Sequence, residues 1–159
     1  MALWVRLSLP CLFPRLTRLH SSHGLSYTTF EYSDLSISEP KLENGDVHIN
    51  VSVKVTNTGS IAGTEVVQAY VSHPTTSEVT HPPLALKAFG KIFDLAPGKS
   101  ETITLALDKY AGSFWEDRIT RWVVEPGVYG IRVGQSSSPE GLKLSGEFKI
   151  AQRFEWNGL

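Results

Sequence analysis

The stretch DVHINVSVKVTN, from Asp46 to Asn57, constrains the fold more tightly than any other part of the chain. Val47, Ile49, Val51, Val53 and Val55 fall on one parity, and His48, Asn50, Ser52, Lys54 and Thr56 on the other. Successive side chains of a strand point to opposite faces. The alternation therefore puts a wall of β-branched residues into a core and a polar row into water. A helix would scatter the same valines around its circumference.

Turn signals cut the rest of the chain into pieces of similar length. TNTGS (56–60) supplies Asn and Gly for a tight reversal, and LAPGKS and VEPGVY place Pro-Gly between apolar runs. In each pair proline presets φ at the first corner and glycine accepts positive φ at the second. Between the turns lie TTFEYSDLSIS, TEVVQAYVS, ALKAFGKIFDL, ETITLAL, RWVVE, VYGIRVG and LKLSGEFKI, all of strand length. No long helical pattern interrupts them. Together with the valine strand they predict seven or eight strands. Short strands joined by Gly and Pro turns predict an all-β fold, an antiparallel β-sandwich of the immunoglobulin-like or fibronectin type III-like kind. There is no Cys–Trp–Cys pattern, which excludes a true antibody-type domain. Two connections, SHPTTSEVTHPP (72–83) and DKYAGSFWEDRIT (108–120), read as loops long enough to carry function. GQSSSPEG (134–141) reads as a flexible hairpin connection.

Composition narrows the function classes. The 159 residues are 41% apolar and 19% charged, which suits one domain with a core that needs no metal or disulfide. The single cysteine, Cys11, excludes an internal disulfide. A net charge of −1 leaves no electrostatic footprint for nucleic acid or an anionic membrane. No apolar run approaches the ~20 residues of a membrane helix. Residues 1–22 contain no acidic residue but carry Arg6, Arg15 and Arg18. Arg6, Pro10 and Pro14 interrupt any secretory-signal centre, and the prolines break a transit-peptide helix. This stretch is expected to be a disordered leader.

The search for chemistry is mostly negative. His20 and His23 lack Cys or acidic partners, His48 is on the wet face of the valine strand, and His73 and His81 precede prolines in a loop. All five histidines are expected to be solvated, with no metal-binding role. Glu116 and Asp117 are adjacent, and neighbours on an extended chain point apart, so they do not flank one scissile bond as a glycosidase pair does. Asp34, early in its strand, is expected at an edge or bulge. No G-x-S-x-G, dinucleotide or phosphate loop is present, and no cofactor is implied. The tripeptide at Asn50–Ser52 is an N-glycosylation sequon on the solvent face, making Asn50 a candidate modification site. Phe114, Trp115 and Trp122 cluster near one long loop, and Trp156 lies near the C-terminus. Exposed aromatic planes stack on sugar rings; they also cover the open end of a sandwich or pack on another domain.

HGLSYTTFEYSDL (23–35) closely resembles the segment that leads into the last domain of fungal family-three glycoside hydrolases, the β-glucosidases. VSVKVTNTGSIAGTEVVQAYVS, LALKAFGKIFDLAPGKSETITLALDKYAGSFW and WVVEPGVYGIRVGQSSS follow in the family's order. The closing FEWNGL is similar to the tail of the subgroup that carries an inserted lectin-like domain. The resemblance covers residues 23–159 and implies a fibronectin type III-like domain with a C-terminal tail. In the family a nucleophilic aspartate in a Ser-Asp-Trp context and an acid/base glutamate belong to preceding domains. Neither motif occurs here, and Asp34 in SDL (33–35) is not the nucleophile. The Phe-Gly pair expected before His23 is replaced by Ser21-Ser22, so residues 1–22 are expected to be non-homologous sequence joined to a truncated enzyme. The resemblance thus implies a non-catalytic accessory domain, inactive alone, whose partners are the β-glucosidase's catalytic domains, with β-glucan or a glucoside as a further possible ligand. The contact surface is expected at an exposed apolar patch of Leu25, Tyr27, Phe30, Trp115 and Trp122, and Tyr27, Trp115 and Trp122 are the candidate sugar or interdomain contacts. A free-standing carbohydrate-binding or adhesion module using Trp115 and Trp122 is the alternative.

Overall fold

The computed structural model describes residues 26–43, 46–77 and 79–157, with Leu42, Glu43 and Asp46 as backbone alone. The expected leader, Cys11, His20, His23 and Leu25 lie outside the described residues. Within them the chain forms eleven strands: β1 (Phe30–Ile37), β2 (Lys41–Glu43), β3 (Asp46–Asn57), β4 (Gly63–Ser72), β5 (Ala85–Leu95), β6 (Ser100–Leu107), β7 (Ser113–Glu116), β8 (Arg121–Val124), β9 (Gly127–Gly134), β10 (Leu142–Ile150) and β11 (Phe154–Trp156). All eight strands read from the sequence are present. The additional β2, β7 and β11 are three or four residues each, too short to show a period.

Two four-stranded antiparallel sheets face one another. In the first, β3 pairs with β6 along one edge and with β1 along the other, and β2 continues the line of β1 beside the start of β3. The second runs β10-β9-β4-β5. A third small sheet, β11-β8-β7, closes one end. The valine alternation works as its spacing requires: Val51, Val53 and Val55 are completely buried, while His48 and Asn50 are exposed. They meet Val67, Ala69 and Val71 of β4 and Ile131 and Val133 of β9 in one core. The two edges close through glycines. A Cβ on Gly90 of β5 would stand 2.6 Å from Ile103 Cδ1 of β6, and one on Gly146 of β10 would stand 2.5 Å from Ile37 Cδ1 of β1. A side chain at either position would have to push aside the end of the facing isoleucine, so the glycines ease the close approach of the sheets at their rims.

Local irregularities follow sequence chemistry. Asp34 has φ of +53° at a register shift between Ser33 and Ser36, so it occupies a β-bulge, where short polar residues tolerate the left-handed region. The Lys99 N–H donates to the Ala96 carbonyl at 3.0 Å across Pro97-Gly98, and Gly98 takes φ of +70°. This is the geometry in which proline and glycine divide the corners of a type II turn. Gly127, also at positive φ, opens β9 directly.

Three buried polar groups tie the layers. Asn57 is fully buried and saturated: its Oδ1 accepts from Thr28 Oγ1 (2.8 Å) and the Gly59 N–H (2.9 Å), and its Nδ2 donates to the carbonyls of Ile61 (2.8 Å) and Leu95 (2.7 Å). One side chain thereby fastens the lead-in to β1, the β3–β4 turn and the end of β5. Tyr32 donates its hydroxyl to Glu65 Oε1 at 2.6 Å across the interior. Burial raises both groups' pKa, while the bond from Tyr32 and the charge of Lys143 pull Glu65 back toward ionisation. Tyr129, near the start of β9, donates its hydroxyl to the Glu125 carbonyl (2.8 Å) four residues upstream and lies 3.3 Å from that of Gly112. This is the tyrosine corner of immunoglobulin-like sandwiches; burial pushes its phenol up to about 12.

Candidate functional site: the aromatic end of the sandwich

The expected loop over 108–120 contains one short strand, β7, of four residues, with turns on either side of it. β7 and β8 form a hairpin in which Trp115 pairs with Trp122, and β11 sets Trp156 on the other side of Trp122. Residues in register across neighbouring strands share a face, so three tryptophans form a row. Trp122 meets Trp115 edge-on at 5.8 Å between ring centroids and lies parallel to Trp156 at 6.5 Å; Tyr110 abuts both Trp122 (5.3 Å) and Trp156 (5.8 Å). Lys109 Nζ sits 5.6 Å from the rings of both Tyr110 and Trp156. Val124, two residues on from Trp122, is in the core. The row is therefore the outer end of the core face, and its members are exposed unequally: Trp122 and Trp156 are half-buried, and Trp115 is 43% exposed.

Beside Trp115 lies an open depression of about 700 Å³, rimmed by Phe114, Glu116, Asp117, Arg118 and Arg153. Glu116 ends β7, and its Oε1 lies 3.4 Å from the Arg118 N–H, which it accepts across the hairpin turn; Asp117 lies in that turn. The Arg153 Nε–H donates to Glu155 Oε1 at 2.7 Å. The carboxylate of Glu116 thus accepts from the backbone of the hairpin turn and also lines the depression. Among the described residues no group of three or more His, Cys, Asp or Glu converges to hold a metal ion.

Two expectations about loops need correcting. His73 and His81 are not free in solvent. Their rings stack at 3.8 Å, His81 lies edge-on to Phe114 at 4.9 Å, and Ser77 Oγ is 2.9 Å from His81 Nε2. Burial, with the nearby His81 and Lys87, pushes His73 down to about 4. The stack arises because the loop turns back on itself and lays two histidines eight positions apart against each other, with His73 beside Tyr129 at 5.6 Å. The 134–141 connection is not loose either. Ser136 and Ser138 are buried and lie 3.0 Å apart through their hydroxyls, and Gln135 and Gly141 close a backbone bond at 3.0 Å. Ser136 Oγ accepts from the Ser138 N–H at 3.4 Å and Ser138 Oγ from the Gly141 N–H at 3.0 Å, so the serines pin the loop's own backbone.

The candidate contacts do not form one patch. Tyr27 is 94% exposed, but its neighbour Thr28 is anchored to Asn57 at the end where β4 begins. Trp115 stands at the other end, in the sheet that closes beside the first residues of β9. The ten residues of β4 separate them, about 30 Å at the rise of a strand. Phe30 is half-buried against the core, with its ring over Gly63. Asn50 is exposed on the outer face of β3, and the sequon's Ser52 hydroxyl lies 2.8 Å from Thr104 Oγ1.

A further exposed apolar surface lies on a strand whose outward face was not expected to be apolar. On the edge strand β5, Phe89 is 68%, Phe93 69% and Leu86 45% exposed. The signal was present: Lys91 marks the outward parity, and both phenylalanines share it.

The comparisons agree with this architecture. A family profile described as a fibronectin type III-like domain matches residues 65–137. The chain is 43% identical over 139 residues to thermostable β-glucosidase B of Acetivibrio thermocellus, covering 85% of this chain and 18% of that protein. It is 42% identical over 142 residues to a probable β-glucosidase I of Neosartorya fischeri, covering 86% and 16%. Among solved structures, β-glucosidase 3B of Thermotoga neapolitana in complex with α-D-glucose matches at 38% identity with a TM-score of 0.74, over 86% of this chain and 18% of that one. The Kluyveromyces marxianus β-glucosidase in complex with glucose matches at 39% with a TM-score of 0.73, over 87% and 16%. The chain spans less than a fifth of the length of these relatives, which come from bacteria and fungi alike. By fold and by sequence, the chain is a fibronectin type III-like domain of the kind carried by family-three β-glucosidases.

Proposed function

We propose that the chain serves as a non-catalytic accessory domain of a β-glucosidase, bracing the domains that bind and cleave terminal β-D-glucosyl residues. The observation that carries this reading is the shape of the match: most of this chain aligns with under a fifth of each relative. Its partners are then the catalytic domains of the same enzyme. The acidic groups beside Trp115 fit this role, since Glu116 holds a turn and Arg153 is paired with Glu155. A domain that braces others acts on the stability of the whole enzyme rather than on the chemical step.

The test is a replacement. Three forms of the Kluyveromyces marxianus enzyme are compared on an aryl β-glucoside: intact, lacking its matching segment, and carrying residues 26–157 of this chain in that place. The graft is expected to restore soluble, active enzyme whose KM is that of the intact form. A graft no more active or heat-resistant than the deleted form would refute the accessory role.

A further inference from the structure

The two outer faces of the sandwich differ in kind. On the first sheet, β3 presents His48, Asn50, Ser52, Lys54 and Thr56, and β6 adds Thr102 and Thr104. On the second, β5 presents Leu86, Phe89 and Phe93, interrupted only by Lys91. The two phenylalanines are four residues apart on one face, about 13 Å along the strand. At two-thirds exposure the two residues leave roughly 280 Å² of surface in water. Natural edge strands are usually kept short, bulged or charged to prevent pairing. This one is eleven residues long, bulged towards each end where its register with β4 shifts, and charged at Lys87, Lys91 and Asp94, so its edge is guarded while its outward face keeps two exposed rings. Gln68 and Tyr70 of β4, in register with Phe89 and Leu86, are already covered: the Gln68 amide donates to the Gln135 carbonyl at 2.9 Å. The second sheet's outer face is thus dry where the 134–141 loop lies over it and, among the described residues, uncovered beyond, along β5.

We infer that the outward face of β5, centred on Phe89 and Phe93, is the seat on which the remainder of a β-glucosidase chain packs. This rests on the accessory-domain reading. The occupant follows from what the relatives contain beyond the matched span: more than four-fifths of each lies outside it. Attaching that much chain to a domain of this size calls for an inter-domain contact of about 600–1,500 Å². Such a contact needs an apolar centre with a polar rim, and the polar outer face of the first sheet offers no centre. The β5 face offers two rings and a leucine with an ammonium between them. The complementary surface is accordingly apolar, with an acidic side chain placed to meet Lys91.

The experiment uses the same graft with Phe89→Ser and Phe93→Ser together, and a control carrying His48→Ser and Asn50→Ser on the opposite sheet. Thermal unfolding of the 159-residue chain with each pair of changes shows whether the domain itself is intact; because all four side chains point outward, melting is expected to be unaltered. In the graft, the β5 pair is expected to shorten the half-life of activity at elevated temperature about tenfold, the loss expected when anchors worth ~1.4 kcal/mol are removed from the centre of a contact. The control is expected to leave it unaltered. A stable graft indifferent to the β5 pair overturns the assignment of this face and leaves the accessory role standing. A graft that fails in wild-type form overturns both. Should the isolated chain dimerise through β5, with the dimer lost in the double variant while the graft stays indifferent, the face belongs to a second copy and the inference is wrong.

Discussion

Asn57→Ala removes the side chain that fastens three loops at one end of the sandwich. Four hydrogen bonds disappear, and the partners left behind are the Thr28 hydroxyl, the Gly59 N–H and the carbonyls of Ile61 and Leu95. At about 1 kcal/mol net for each bond the loss is about 4 kcal/mol. Ile61 and its neighbours in the β3–β4 turn are exposed, so water replaces some of what is lost. The expected cost is about 3 kcal/mol, a large share of the 5–15 kcal/mol typical of a domain. Melting should fall by about 12 °C. Urea unfolding followed by tryptophan fluorescence measures this directly, with an unchanged slope showing that the surface exposed on unfolding is the same. Asn57→Asp keeps the acceptor oxygens but places a carboxylate against two carbonyls, and should be at least as damaging. A loss below about 1 kcal/mol for the alanine variant, at unchanged slope, would refute the claim that this side chain organises that end.

Other consequences follow from the same geometry. Folding depresses the pKa of His73 to about 4, so the unfolded chain binds the proton first; stability is full above about 6.5 and falls as the pH drops toward 4, a decline that His73→Gln should flatten in pH-dependent melting. Burial raises the pKa of Glu65, so its ionisation works against folding as the pH rises above the ordinary carboxylate value; Glu65→Gln should match or exceed wild type at pH 7, whereas Glu65→Ala, which strands the Tyr32 hydroxyl, should lose about 2 kcal/mol in urea unfolding. Gly90→Val should prevent close contact with Ile103 at the β5–β6 edge and cost about 2 kcal/mol or more by the same measurement. Cellobiose titrated into the chain should leave the fluorescence of the tryptophan row unchanged; a saturable change abolished by Trp115→Ala would favour a sugar-binding module instead.

The strands were legible because their faces differ so sharply. Val47 to Val55 alternate with polar residues without a break, and every one of the five is buried in the core. The bulge at Asp34 and the turn at Pro97-Gly98 were legible for the same local reason, since each needs one residue type at one backbone conformation. What escaped depends on contacts between distant segments. β7 and β11 are three or four residues long and owe their pairing to β8, which lies between them. The His73–His81 stack and the buried serines of the 134–141 loop depend on how a loop folds back, which composition does not encode. Tyr27 and Trp115 resembled one surface because both are aromatic and outward, yet the length of β4 holds them at opposite ends. The β5 face was within reach: the parity of Lys91 sends Phe89 and Phe93 to the solvent side, but two phenylalanines in an apolar run are easily taken for core.

If this chain supplies support and not chemistry, the purified, folded chain should not hydrolyse an aryl β-glucoside. We predict release of the aryl alcohol no faster than in buffer alone, at any chain concentration and across the acidic to neutral range. Reproducible turnover that scales with the chain and is abolished by Glu116→Gln or Asp117→Asn would contradict it.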